Sequence, residues 1–200
     1  NTKSDPMQNT VRAIFAVLFV LIAAMAGWAG YSWFARTSGE APYGAPFTLT
    51  DANGQPITES ALQGHPTAVF FGFTHCPEVC PTTLFEMKGW MDKLGDEGKD
   101  VKAFFVSIDP ERDTPAVLKD YIGNVTDRVT GITGDPAAIA AMAKAWGVYA
   151  KKVPTSDGSY TMDHTALVFL LNSKGQFHGT IAYGENPDTA FAKFQRFAKL

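Results

Sequence analysis

The sequence predicts an α/β domain, in which helices flank a central mixed sheet, carried on a single transmembrane helix. Three observations support this prediction. A run of 22 uncharged residues extends from Ala13 to Phe34. Two nearly continuous apolar runs, Thr67–Thr74 and Val101–Ile108, have the composition of strands buried on both faces. A helical pattern follows each of these runs, and the chain closes with a hairpin and a last helix.

The uncharged run is long enough to span a bilayer, because about 20 apolar residues cross the hydrocarbon core as a helix. Its aromatic end, Trp28 to Phe34, suits a membrane interface. A cleaved signal peptide is the alternative, since Ala24-Met25-Ala26 resembles a cleavage site. Two basic residues, Lys3 and Arg12, precede the run and only one follows it closely, so we expect residues 1–12 to lie in the cytoplasm.

These signals divide the chain into a cytoplasmic segment (1–12), a transmembrane anchor (13–34), a Gly- and Pro-rich linker (35–46) and a folded domain (47–200). We expect a single-pass protein of a bacterial inner membrane, rather than of the mitochondrial inner membrane, with the domain in the periplasm. Beyond Ala35, 15 lysines and arginines stand against 19 aspartates and glutamates. This balance argues against a nucleic-acid partner, which would require a basic stripe.

The first half of the domain contains a hairpin and a capped helix. The hairpin is predicted at 47–58, where Asn53-Gly54 forms the turn. The helix after the first buried strand has a capping-box pair, Thr83 and Glu86. Prolines 77 and 81 cannot both lie in one first turn, so we expect this helix to begin at Pro81 or just after it.

The second half follows the same alternation. Asp113 or Thr114 can cap the helix that follows the second buried strand. The remaining elements are a third strand, a helix, a hairpin of two strands and a last helix, at Val129–Thr133, Asp135–Trp146, Thr165–Asn172, Gln176–Tyr183 and Pro187–Leu200. This order, βαβαββα after an N-terminal hairpin, describes the thioredoxin-like fold.

Both cysteines of the chain, Cys76 and Cys80, lie in the stretch FTHCPEVCP directly after the first buried strand. Open α/β sheets place their chemistry at this end of a strand, and the nearby helix start is expected to lower the pKa of both thiols. Three uses are open. A disulfide would close a loop of only five residues and add little stability. A redox pair departs from the usual C-x-x-C spacing, and a metal site needs a third ligand.

The four histidines are the candidates for that ligand. His75 adjoins the first cysteine and points the other way on an extended segment. His65 lies at the wrong end of the first buried strand, and His178 is most simply a surface or half-buried residue. His164 lies in the loop where thioredoxins carry the cis-proline that faces their cysteines, so its imidazole is expected to point at both sulfurs. For any single histidine, a satisfied core or surface position is the simpler interpretation.

Two thiolates and one imidazole form a soft set of three ligands. Such a set suits Cu(I), and imidazole also suits Cu(II) and zinc. Structural zinc sites normally have four protein ligands, which favours copper over zinc.

Four motifs together resemble the Sco/SenC family of membrane-anchored copper proteins: FFGFTHCPEVCPTTL, SIDPERDTP, GITG and MDHTALVFLLNSKG. The resemblance extends from about Phe47 to the C-terminus. It implies a thioredoxin-like domain that binds one copper ion, as Cu(I) or Cu(II), through Cys76, Cys80 and His164. It also implies a role in assembling the copper A centre of cytochrome c oxidase subunit II, with an upstream copper donor protein as a further partner.

Several functional interpretations remain open at this point. The chain is expected to be a copper metallochaperone, a thiol-disulfide reductase acting on the cysteines of the oxidase copper site, or a component of copper or redox signalling. Enzymatic activity is expected only through thiol-disulfide exchange at Cys76 and Cys80. The charged residues of 109–113 predict either a docking surface near the cysteines or a capped turn with a local ion pair.

Overall fold

The structure is a computed structural model that describes residues 6–37 and 42–200. The chain divides into two compact units, the second of which begins at Pro42. The first unit contains helix α1 (Pro6–Thr37). Its stretch Ile14–Ser32 is long and apolar enough to cross a membrane by length and composition. Residues 1–5 of the predicted cytoplasmic segment and 38–41 of the predicted linker lie outside the described residues.

The described residues 42–200 contain nine strands and four α-helices. In chain order these are β1 (Thr48–Asp51), β2 (Pro56–Thr58), β3 (Thr67–Gly72), α2 (Val79–Leu94), β4 (Lys102–Ser107), α3 (Pro115–Gly123), β5 (Val129–Thr133), α4 (Pro136–Ala145), β6 (Ala150–Pro154), β7 (Tyr160–His164), β8 (Leu167–Leu171), β9 (Phe177–Ala182) and α5 (Pro187–Phe197).

Seven of the strands form one mixed sheet in the order β2-β1-β5-β4-β3-β8-β9. Strands β3, β4 and β5 are parallel, and the other pairs in this sheet are antiparallel. Every residue of the central strand β3 is buried, as expected for a strand covered on both faces. Helices α2 and α5 pack together through Trp90 and Phe194, whose ring centroids are 5.3 Å apart. The predicted architecture, a central mixed sheet flanked by helices, is confirmed.

Helix α2 begins two residues earlier than the sequence predicts, at Val79 instead of Pro81. Pro81 is the third helical residue, and the N–H that it lacks would have no partner within the helix. The hydroxyl of Thr83 donates to the Val79 carbonyl (2.8 Å) and does not cap the helix. The predicted capping box is therefore wrong, and Cys80 lies inside the first helical turn.

The sequence does not predict the antiparallel pair β6 and β7, which forms a separate two-stranded sheet. Strand β6 is almost wholly exposed, and its two lysines and a proline conceal any apolar alternation. His164 is consequently the last residue of a strand instead of part of a loop.

Tyr43 packs against the domain although it lies in the predicted linker. Its ring centroid is 5.1 Å from that of Trp146, and its N–H donates to the Gly175 carbonyl at 2.8 Å. The compact unit therefore begins at Pro42 and not at Phe47. The Gly- and Pro-rich composition conceals this contact, because a single aromatic residue creates no periodicity.

The register of the sheet brings two distant parts of the chain to one edge. Gly72, at the end of β3, pairs with Ser107, at the end of β4. Strand β8 runs antiparallel to β3 and places Val168 opposite Phe70. The residues just before β8 therefore lie beside the residues just after β3. Both cysteines belong to the segment that follows β3.

Candidate metal centre

Three side chains from two distant parts of the sequence meet at this edge. Cys76 lies in the loop after β3, Cys80 in the first turn of α2 and His164 at the end of β7. Their sulfur and nitrogen atoms all lie within 4.8 Å of one another. Both cysteines are free thiols; Cys76 is half-buried, and Cys80 is fully buried. The fold thus brings together the three residues that the sequence singles out.

The imidazole of His164 is oriented by the residue that follows it. Its Nδ1 atom lies 2.9 Å from the Thr165 carbonyl oxygen, and a carbonyl only accepts, so Nδ1 carries the hydrogen. In the neutral ring, Nε2 then presents its lone pair 3.7 Å from Sγ of Cys80. The rings of Phe70 and Phe73 meet the imidazole edge-on. Metal-bound histidines have the same arrangement, with one nitrogen tied and the other available.

The two thiols differ in acidity because one donates a hydrogen bond to the other. The hydrogen bond from the Cys80 thiol, with the backbone N–H groups of residues 78–80, lowers the pKa of Cys76 to about 5. The same hydrogen bond and burial raise the pKa of Cys80. At neutral pH, Cys76 is therefore a thiolate and Cys80 retains its proton. The expectation of a lowered pKa is confirmed for Cys76 and wrong for Cys80, because the latter is the buried donor.

Gly72 creates the space that the buried sulfur occupies. A Cβ atom at this position would lie 2.8 Å from the Phe70 ring, 2.9 Å from the Phe105 ring and 3.0 Å from Sγ of Cys80. Real Cβ atoms essentially never come within 3.0 Å of other atoms, so both rings would have to shift, and the sulfur would be in tight contact. Sequence reasoning missed this residue, although a glycine inside a buried strand is a recognised signal of close approach.

The charged segment after β4 is turned inward. Asp109 and Asp113 are 1% and 0% exposed, and Arg112 pairs with Asp109. Thr114, and not Asp113, caps α3. Glu111 is the exposed charge of this segment. Neither aspartate can therefore contribute to a docking surface, because both are buried and bound to other residues of the domain.

The other three histidines do not join the group. His65 hydrogen-bonds Thr67 at the amino end of β3, and burial lowers its pKa. The side chain of His75 is 53% exposed, and His178 is exposed on β9. These placements agree with the reasons for preferring His164 as the candidate ligand.

The donor set fits copper by its chemistry. Two sulfur atoms and a neutral imidazole nitrogen are ligands that Cu(I) prefers, and imidazole also suits Cu(II). No fourth His, Cys, Asp or Glu joins the group in the described part of the chain. A closed structural zinc site, which takes four such ligands, is therefore not present there. The Cys-Cys-His group can bind a copper ion.

The fold and the site define a thioredoxin-like domain with a C-x3-C pair and a distant histidine at the carboxyl end of the central strands. The family model described as SCO1/SenC matches residues 35–199. The chain therefore belongs to the SCO1/SenC family.

Relatives of known structure share the fold, and they include a protein solved with copper bound and a cytochrome c oxidase assembly protein. Bradyrhizobium japonicum ScoI, solved with copper bound, is 48% identical, with 78% of this chain and 99% of that chain covered and a TM-score of 0.71. BsSco, described as having a disulfide switch and as a member of the Sco family of cytochrome c oxidase assembly proteins, is 25% identical, with 80% and 95% covered and a TM-score of 0.61. These likenesses confirm the thioredoxin-like fold.

Curated relatives include longer proteins. The mitochondrial SCO1 homolog 1 of Arabidopsis thaliana is 36% identical over 153 residues, which cover 76% of this chain and 45% of that protein. The chain spans about half the length of the first curated relatives that it matches.

Proposed function

We propose that the chain is a copper carrier in cytochrome c oxidase assembly, which binds copper through Cys76, Cys80 and His164 and delivers it to the copper A site of subunit II. The observation that carries this proposal is the convergence of the three donor atoms within 4.8 Å, with Nδ1 of His164 tied to a carbonyl. The SCO1/SenC relatives support the choice of metal and of pathway. An upstream copper donor protein supplies the ion.

Unequal exposure of the ligands suits a carrier. Cys76 is half-buried and ionised at neutral pH, whereas Cys80 is fully buried. A ligand of the acceptor can therefore approach through the Cys76 side and displace this thiolate first. The buried Cys80 sulfur, deprotonated when it binds copper, and the imidazole retain the ion until the acceptor supplies further ligands. Transfer by stepwise ligand exchange never releases a free copper ion.

Copper binding is tested by titrating the reduced full chain in detergent with Cu(I) against a chromophoric chelator. Cys76→Ser and Cys80→Ser should each lose copper at chelator concentrations that the parent withstands. His164→Ala, which removes a ligand, should weaken binding by more than the roughly 10- to 100-fold that is usual when only a contact behind a ligand is lost. His178→Ala is the matched control and should bind like the parent, because this exposed imidazole lies outside the group. If His164→Ala binds as tightly as the parent, the third ligand is misassigned.

Delivery is tested separately with the soluble copper-binding domain of subunit II as acceptor. The copper-loaded full chain should produce the absorption of the copper A centre in the reduced acceptor faster than an equal concentration of chelated copper does. Equal rates would contradict a carrier role while leaving copper binding intact.

The acidity of Cys76 favours a second function, thiol-disulfide exchange with the acceptor. The Cys76 thiolate would attack one sulfur of an acceptor disulfide, form a mixed disulfide and release one acceptor thiolate. Cys80 would then lose its proton, attack the sulfur of Cys76 and release the second acceptor thiolate. The carrier's dithiol is oxidised to a disulfide, and the acceptor disulfide gains two electrons.

His164→Ala separates the two functions. A carrier loses tight copper binding in this variant, whereas a reductase retains its rate of disulfide reduction. Cys76→Ser should abolish the reductase reaction, since Cys80 is buried and protonated. If the parent reduces acceptor disulfides at the rate of a simple thiol such as glutathione, the reductase function is excluded.

We also propose that α1 anchors the chain in an inner membrane, with residues 1–12 in the cytoplasm, the anchor at 13–34 and the domain in the periplasm. The length and composition of Ile14–Ser32 support this placement. A membrane-impermeant maleimide should label Cys76 in intact spheroplasts. Labelling that requires lysis would contradict the orientation, and a mature chain that begins after Ala26 would show a cleaved signal peptide.

A further inference from the structure

The segment 107–113, which we call the 107–113 loop, contacts both parts of the chain that supply the candidate ligands. It leaves the carboxyl end of β4, next to β3 in the sheet. One end of it contacts the segment before Cys76, and its middle contacts the β6–β7 hairpin, which ends in His164. None of these contacts involves a candidate ligand directly.

On the cysteine side, the contact is made by the buried carboxylate of Asp113. It accepts hydrogen bonds from the Thr74 N–H (3.1 Å), the Thr74 hydroxyl (2.6 Å) and the Ser107 hydroxyl (2.6 Å). Thr74 lies two residues before Cys76, so the carboxylate fixes the start of the cysteine loop. Hydrogen bonds to a buried charged acceptor are about twice as strong as neutral ones.

On the histidine side, the contact is made by Arg112. Its guanidinium lies 3.8 Å above the centroid of the Tyr160 ring, and its Nη1 donates to the Tyr160 carbonyl at 3.0 Å. The Tyr160 hydroxyl donates to Asp109 at 2.8 Å. Tyr160 begins β7 and His164 ends it. Because only three residues of extended strand separate them, contacts that hold Tyr160 restrict where His164 can lie.

The hairpin has few other attachments. It pairs with no strand of the seven-stranded sheet among the described residues. Met162 is its buried hydrophobic anchor, and Lys152 of β6 pairs with the exposed Glu111. The contacts of Arg112 with Tyr160 therefore hold the hairpin at the start of β7, while the Phe70 and Phe73 rings hold the His164 end.

We propose that the 107–113 loop is a brace that fixes the cysteine pair and His164 relative to each other, with Asp113 and Arg112 as positioning residues for copper binding. This inference rests on the proposed copper function. Ligands on separate segments bind a metal more tightly when those segments are held in place before the metal arrives, because binding then does not have to order them. The brace supplies this preorganisation from one loop.

The test is a double-mutant cycle on the copper affinity of the full chain in detergent. When His164 is present, Arg112→Gln should weaken Cu(I) binding about tenfold, which is usual when a contact behind a ligand is lost. In the His164→Ala background the same substitution should have no effect. Asp113→Asn acts through the cysteine loop and should weaken binding in both backgrounds. Asp96→Asn, whose exposed carboxylate pairs with Lys99 before the start of β4 and far from the loop, is the control and should bind like the parent.

A merely structural role would give a different pattern. If Arg112→Gln weakened binding equally with and without His164, its effect would be a loss of fold stability, and the brace on the histidine side would be overturned. Unchanged affinity in both Arg112→Gln and Asp113→Asn would overturn the brace altogether. Arg112→Lys keeps the charge but loses the planar stack and should resemble Arg112→Gln, which provides a second test if the first variant does not fold.

Amide hydrogen exchange of the metal-free protein separates this inference from the proposed function. Arg112→Gln should accelerate exchange in Tyr160–His164 and leave Thr67–Gly72 of β3 unchanged. If the parent does not bind copper, the proposed function fails, and exchange alone decides whether the brace exists. Unchanged exchange in Tyr160–His164 would contradict the brace even if copper binds.

Discussion

The Nε2 atom of His164 lies 3.7 Å from the sulfur of Cys80, although 84 residues separate them in the sequence. The contact forms because β8 returns antiparallel beside β3 and because Gly72 leaves room for the sulfur.

Alkylation of the reduced protein should reveal the acidity of Cys76. The reactive species is the thiolate, and the pKa of this thiol is lowered to about 5. The rate of modification by iodoacetamide should therefore rise as pH increases through 5 and be flat between about pH 6 and 8. Peptide mass spectrometry should place the label on Cys76. A rate that still rises tenfold per unit near pH 7 would show an ordinary thiol.

Copper binding at pH 7 should release about one proton, because Cys76 is already ionised and Cys80 must lose its proton to become a ligand. The number released should increase as pH falls through 5, where Cys76 also starts protonated. Apparent affinity therefore falls as pH falls. Calorimetry in two buffers of different ionisation enthalpy measures the proton count, and a value near two at pH 7 would contradict the assignment of protons to the pair.

Gly72→Ala should destabilise the fold by about 1–3 kcal/mol, since the added methyl overpacks the site. It should also weaken copper binding, because the methyl group and the Cys80 sulfur compete for the same space. Denaturant unfolding and chelator competition measure the two effects. Gly89→Ala is the control: nothing lies within 4 Å of its Cβ on α2, and a helical alanine should stabilise by up to about 1 kcal/mol.

Tyr43→Ala should destabilise the domain by about 2–4 kcal/mol, because this ring packs against Trp146 and its hydroxyl donates to the Trp146 carbonyl. The free energy of unfolding in urea measures the loss. Phe85→Ala removes a ring that is 69% exposed and should change stability by less than about 0.5 kcal/mol. Equal effects of the two substitutions would show that Tyr43 belongs to a free linker.

Strong periodicity and caps made much of the fold predictable. The apolar runs predict β3 and β4, and Asp135 accepts hydrogen bonds from the N–H groups of Ala137 and Ala138 at the start of α4, where the sequence predicts a helix. The hairpin β6–β7 could not be predicted, because exposed strands with lysines have no apolar alternation.

The residues of the candidate site could be predicted from the sequence, but the contacts that hold them in place could not. The predicted order of strands and helices is enough to place His164 near the cysteines. The burial of Asp113 depends on Thr74 and Ser107, which only the folded register brings beside it. The sequence likewise shows two equivalent thiols, whereas the hydrogen bond between them lowers the pKa of Cys76 and, with burial, raises the pKa of Cys80.

X-ray absorption at the copper edge, on the full chain loaded with one Cu(I), identifies the ligand atoms themselves. Two sulfur atoms and one nitrogen should coordinate the copper, with the nitrogen lost in His164→Ala and retained in His178→Ala. A shell of two sulfur atoms in the parent, or a nitrogen that survives in His164→Ala, would contradict the assignment of Cys76, Cys80 and His164 as the copper ligands.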